Sequence, residues 1–273
     1  MFLTKKSFRK ILVMAICYFL LGSIAIVLWA LFNSIGVNEN FLLTLGVIVF
    51  SLCPLIIFWE RYAEGKGKLI NLGNKLVRNE LKPADFIEHY ELLKNSDNLV
   101  IKKPSIEVLQ LVAIAYDSLD QREKALETVD EMIFVASENK KTFANLFKTS
   151  FLFSYDKKEE AEMLFNEIQK QKLDIRSKSL VDAILKSDRA MVMGDYKTVE
   201  MYNLSMLQRT FPKLDNLGKL IVHYKLGEVY EKLQEKETAI TYYKYCVDFG
   251  GETAIKKSAI EKIQHKTGDG SVS

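Results

Sequence analysis

Tyr224–Cys246, YKLGEVYEKLQEKETAITYYKYC, reads as two short helices back to back. Leu226, Gly227 and Tyr230 recur at helical spacing, and so do Ala239, Tyr243 and Cys246. A polar break at Gln234–Glu235 separates the two runs. The search for further copies of this pattern decides the fold, because a helix pair cannot bury its apolar face alone.

Upstream the pattern returns in weaker form. In 106–139, Val112-Ala113-x-x-Tyr116 is followed by Ala125, Val129 and Met132. Ser105, just after Pro104, fits a helix cap there. A third candidate has Ala161, Phe165 and Ile168 in its second helix, and its first helix around Phe143–Phe153 lacks the small residue. A fourth spans Leu180–Phe211, with Gly194-Asp195-Tyr196 at the turn, Val199 and Met206 behind it, and Asn203 where an aromatic is normal. Ala125, Ala161, Val199 and Ala239 are equivalent positions, 36, 38 and 40 residues apart.

This pattern resembles the tetratricopeptide repeat (TPR). The family combines L-G-x-x-Y with an alanine and then an aromatic four residues on. Its repeat is about 34 residues, so the excess here implies longer helices or loops. Gly227 and Ala239 are small enough for close helix packing, and Tyr230 and Tyr243 fill the space between neighbours. His223 stands where the family has tryptophan, and the closing proline is missing near Gly250-Gly251. The resemblance covers 106–253, and Ala254, Ile255, Ala259, Ile260 and Ile263 mark a closing helix.

Ahead of the repeats, 11–32 and 41–59 contain no charged residue. About 20 apolar residues span a bilayer, so these segments predict a transmembrane hairpin. Pro54 kinks its second helix rather than ending it. Lys5, Lys6, Arg9 and Lys10 precede it, while Arg61, Lys66, Lys68, Lys75 and Arg78 follow it. The linker 33–40 has no Lys or Arg. The positive-inside rule then places both termini in the cytoplasm of an integral, two-span protein of the cell membrane. The expected fold class is all-α, with a two-helix transmembrane hairpin followed by a TPR-like α-solenoid. Its parts are a basic N-terminus (1–10), spans 11–32 and 41–59 around an external turn (33–40), and a juxtamembrane connector (60–103). Repeats (104–251), a capping helix (252–265) and a disordered tail (266–273) follow. The helices of the connector, built on Leu69, Leu72, Leu76, Val77 and then Phe86, Ile87, Tyr90 and Leu93, are either a degenerate first repeat or a docking unit.

The net charge of +3 sits in the basic N-terminus: residues 60–273 hold 34 Lys/Arg and 34 Asp/Glu. That balance argues against a nucleic-acid partner. Cys17, Cys53 and Cys246 form no C-x-x-C pair, and His89, His223 and His265 are isolated, so no metal or cofactor site is expected. No catalytic motif occurs, and an enzyme is not expected. In TPR proteins the first helices line a groove for an extended peptide or a partner helix. The resemblance puts Gln110, Ile114, Asp117, Tyr224, Glu228 and Glu231 on that face. The Lys/Asn carboxylate clamp of some relatives is absent, since Gln110, Ile114, Tyr224 and Glu228 stand there. The expected partners are a protein segment in the groove and the bilayer through 11–59, with no small-molecule substrate. The expected function is a membrane-anchored adaptor or scaffold. The alternative is an accessory subunit of a transport, secretion or membrane-protein biogenesis complex, with the hairpin making the specific contact.

Overall fold

In the computed structural model, 65–95, 104–171, 175–210 and 213–268 are the described residues. They belong to one compact unit, 64–273. Among the described residues, eleven helices form five consecutive pairs and a closing helix. The first pair is α1 (65–79, its last stretch Asn74–Asn79 a π-helix) and α2 (Pro83–Lys94). Then come α3 (Ile106–Ser118) with α4 (Arg122–Val135), and α5 (Glu138–Ser154) with α6 (Lys158–Ile168). The fourth pair is α7 (175–192, π-helical at Ile184–Arg189) with α8 (Tyr196–Gln208). The fifth is α9 (Asn216–Lys232) with α10 (Lys236–Phe249), and α11 (Ala254–Gly268) closes the series.

One turn joins the two helices of every pair. It is three residues long, and its middle residue is left-handed: Leu81, Asp120, Asp156, Gly194 and Gln234 have φ of 55°, 58°, 60°, 76° and 63°. The next residue donates its N–H back across the turn. Gln121 reaches the Tyr116 carbonyl, Lys157 Leu152, Asp195 Ala190 and Glu235 Tyr230, each at 2.9 Å. This six-to-one bond satisfies a carbonyl at the helix end that the helix itself leaves orphaned. In the first pair the bond runs from Lys82 to Leu76 at 2.7 Å, one residue longer because the π-helix inserts an extra residue.

Side chains follow the same frame. The small residue facing the partner helix lies seven before the left-handed one: Ala113, Thr149, Ser187 and Gly227. In α1 it is Gly73, eight before. A methyl on Gly227 would lie 2.6 Å from the Tyr243 ring, and one on Gly73 about 3.0 Å from Phe86. Thr149 is the small residue that the third repeat lacks in the sequence. It is fully buried because its hydroxyl bonds the Asn145 carbonyl of its own helix at 2.9 Å. Nine residues after each turn sit Tyr90, Val129, Phe165, Asn203 and Tyr243, all buried. The helices at 65–94 thus share the frame of the four pairs behind them. The unequal spacing arises between pairs: two residues separate α4 from α5, but seven separate α8 from α9.

The array does not stay open. α1 packs against α3 and also against α9. Arg78 pairs with Asp215 at 3.0 Å, and Asn216 Nδ2 donates to the Asn79 carbonyl at 2.7 Å. The α1–α2 turn meets the α10–α11 turn, where the Glu252 N–H donates to the Leu81 carbonyl at 2.9 Å. Gly251 permits this approach. Its φ is 55°, and a methyl there would lie 2.6 Å from both the Cβ and the carbonyl oxygen of Leu81.

Three expectations are corrected. The fold is all-helical and solenoid-like, but it shows no transmembrane hairpin: among the described residues no helix is long and apolar enough to cross a membrane. The described helices carry charges along their lengths, as α5 does at Glu138, Lys140, Lys141 and Lys148. Residues 11–32 and 41–59, with the flanks 1–10, 33–40 and 60–64, lie outside the described residues. The two-span placement in the cell membrane is corrected on the same finding. The closing helix continues to Gly268, so 266–268 are helical rather than tail, and 269–273 lie outside the described residues.

Candidate inner-face site

The first helices of the five pairs form a ring of polar bridges. Lys66 of α1 and Lys140 of α5 both pair with Glu107 of α3, at 3.0 and 3.2 Å. Tyr155, at the end of α5, donates to Asp117 of α3 at 2.7 Å. Ser150 of α5 donates to Asp188 of α7 at 2.5 Å. Lys225 of α9 donates to both Asp188 and Ser187, the latter at 2.9 Å. Arg78–Asp215 then returns from α9 to α1. Behind the ring, each first helix is tied to the second helix before it. Tyr116 donates to Glu91 at 2.8 Å, Lys148 to Asp130 at 2.6 Å, Arg189 to Glu162 at 2.6 Å and Tyr230 to Glu200 at 2.6 Å.

The π-helix in α7 helps position this ring. It lies in the turn that carries Ser187 and Asp188, and both residues are buried. The Asp188 carboxylate is the shared acceptor for Ser150 and Lys225, so α5, α7 and α9 meet at one side chain.

Of the six sequence-derived groove residues, Gln110, Ile114 and Asp117 lie on α3, and Tyr224, Glu228 and Glu231 on α9. All six are half-buried. Asp117 and Glu228 both come within the electrostatic reach of Lys225. Glu231 instead accepts from Tyr243 at 2.8 Å and pairs with Lys262 of α11 at 3.0 Å. Tyr224, Glu231, Ser258, Glu261, Lys262 and His265 line a half-open cleft of about 320 Å³ between α9 and α11.

Titration reflects these surroundings. Burial lifts the carboxyls of Asp117 and Glu228 above their ordinary range; the Tyr155 hydroxyl only partly offsets this at Asp117, as Lys225 and Lys262 do at Glu228. Burial, with Glu228 beside it, pushes Tyr224 up to about 12. Glu107 behaves oppositely. Burial works against its charge, but its own backbone N–H, Lys66, Ser105 and Lys140 together lower it to about 2. A carboxyl lowered in this way stabilises the fold above its unfolded pKa of 4.5, and that contribution is lost as the pH falls toward 2.

His223 joins the two helices of its pair through ring packing. Its ring stacks on Tyr245 at 3.6 Å and 11°, tying α9 to α10. Burial, and then Lys219, lower its pKa. Sequence reading passed over Ser150, Tyr155, Asp188 and Lys225, and took Arg78 only as a cation flanking the second apolar segment. Each is an unremarkable polar residue whose partner lies in another pair, and no local spacing marks it. Compared with protein-family models, with curated proteins and with solved structures, the chain has no match.

Proposed function

We propose that the helical array is a protein-interaction module of TPR type, an adaptor that takes up a segment of a partner protein along the inner face of its first helices. The observation that carries this reading is the cleft between α9 and α11. It extends the inner face at Tyr224 and Glu231, and with about 320 Å³ it has room for side chains of a bound segment. The recurring turn supports the reading too, because stacked helix pairs present one continuous face built from equivalent positions. Polar groups line that face, as suits reversible binding better than an obligate apolar interface does.

Site-specific photo-crosslinking tests the proposal in the full chain. A photoreactive residue at Tyr224, in the cleft, is compared with one at the exposed Glu159 of α6, on a second helix. Capture of the same protein partner from Tyr224 but not from Glu159 is the expected result. Equal capture at both positions, or none at Tyr224, would remove the inner face as the binding surface.

A further inference from the structure

We infer that the seam where the first pair meets the last is a gate to the inner face, and that it opens while the rest of the array stays folded. This rests on the adaptor reading and names how a partner segment reaches the first helices.

Successive pairs are joined by the chain as well as by contacts, as α4 and α5 are by two residues. The seam has contacts alone. Arg78 pairs with Asp215, 137 positions away in the chain. Asn216 donates to the Asn79 carbonyl, and the Glu252 N–H to the Leu81 carbonyl. The side chains of Arg78 and Asp215 are 32% and 28% exposed, so water weakens their attraction. The Asn216–Asn79 bond lies at the surface too. A second observation comes from α1 itself. Its π-helical stretch, Asn74–Asn79, carries both Arg78 and Asn79, and Asn79 Nδ2 donates back to the Asn74 carbonyl at 2.9 Å. π-Helical stretches are rare and gather at functional positions. The other one among the described residues holds Ser187 and Asp188, where the inner ring converges.

The seam bears on access because α1 packs against both α3 and α9. Those two helices carry the residues of the proposed face, Ile114 on one and Tyr224 on the other. α1 therefore closes the ring between its two halves. A free chain end can enter a closed ring through its mouth. A segment inside a folded partner has chain on both sides and must enter sideways, and the seam is the junction that parts without stretching a loop. The cleft between α9 and α11 admits side chains only: it measures about 320 Å³, whereas five extended residues run about 17 Å.

Hydrogen exchange tests the seam in the full chain and needs no partner. The Glu252 and Glu235 N–H groups each donate to a carbonyl at 2.9 Å, one across the seam and the other within α9–α10. Corrected for intrinsic rates, Glu252 is expected to exchange at least about tenfold faster in the wild type, because a local opening costs less than unfolding a pair. Arg78→Glu repels Asp215 and spares the cap that Asp215 gives the Gly218 N–H. It is expected to speed Glu252 by a further factor of about three or more, with Glu235 unchanged. Access is read separately. Ile114→Cys on α3 is labelled with a bulky PEG-maleimide, and labelling is expected to quicken at least about threefold in the Arg78→Glu background. Glu159→Cys, at an exposed site on α6, should label equally in both backgrounds. Equal exchange of Glu252 and Glu235, or acceleration of both together in Arg78→Glu, overturns the separate opening. Unchanged labelling of Ile114→Cys overturns the gate. The two proposals fail separately, since crosslinking at Tyr224 decides the adaptor and neither the exchange nor the labelling depends on it.

Discussion

The α9–α10 and α7–α8 pairs share one turn and one frame, yet they fill the frame with opposite chemistry. In α9–α10 glycine meets an aromatic: Gly227 lies under the Tyr243 ring, which is fully buried. In α7–α8 the same two places hold Ser187 and Asn203. Asn203 is buried and folds back to donate to the Val199 carbonyl of its own helix at 2.8 Å. Its neighbour Asp188 is buried too, held by Ser150 and Lys225 from other pairs. One pair is held by its own packing, whereas the other gives up packing and is held by its neighbours. Hairpin geometry is therefore set by the turn and the helix lengths, and the interior contents are free to vary.

Substitutions can break or sharpen this contrast. Tyr243→Ala empties the centre of the self-sufficient pair and is expected to cost about 3–5 kcal/mol in urea denaturation. A loss under about 1 kcal/mol would mean that α9–α10 is not held by its packing. Lys225→Met strikes the dependent pair from outside by leaving Asp188 without its cation. Breaking a buried pair costs about 3–5 kcal/mol, and partial exposure of Lys225 reduces that to about 2–3 kcal/mol. Adding Asp188→Asn should recover part of the loss, which a double-mutant cycle would read. Gly227→Ala overpacks the Tyr243 ring and is expected to cost about 1–3 kcal/mol. Asn203→Ala, at the position that Tyr243 occupies in its own pair, should change stability by no more than about 1 kcal/mol, since only a bond within its own helix is lost. Chemical denaturation of Asn203→Ala and Tyr243→Ala side by side gives the sharpest form of the comparison.

The repeating frame was legible in the sequence because it rests on local patterns. Ala125, Ala161, Val199 and Ala239 each fall five residues after the left-handed residue of their turn. Of those turn residues, Gly194 and Gln234 were placed at their turns from the sequence, and Leu81, Asp120 and Asp156 were not. Only Gly194 is a glycine, while Leu81 adopts a conformation that disfavours any side chain. The first pair was ambiguous for a related reason. Its π-helix shifts Gly73 by one residue, and Phe86 stands where the later pairs have Ala125, Ala161, Val199 and Ala239. Of the candidate site, the sequence offered residues of α3 and α9 for a shared groove face. It could not supply Lys225 or Asp188, because an ion pair between separate repeats leaves no periodic trace. Nor could it show the meeting of Leu81 with Gly251, which depends on how far five pairs curve.

That meeting bears on how the chain assembles. A linear stack of helix pairs can grow from any point and fray from either end, each pair leaning only on its neighbours. Here the first pair finishes its contacts with residues made long after it, since Leu81 waits for Glu252. Closing so long a stretch of chain carries an entropic cost that grows slowly with its length. The contact at Gly251 therefore carries a larger loop-closure cost than any turn within a pair.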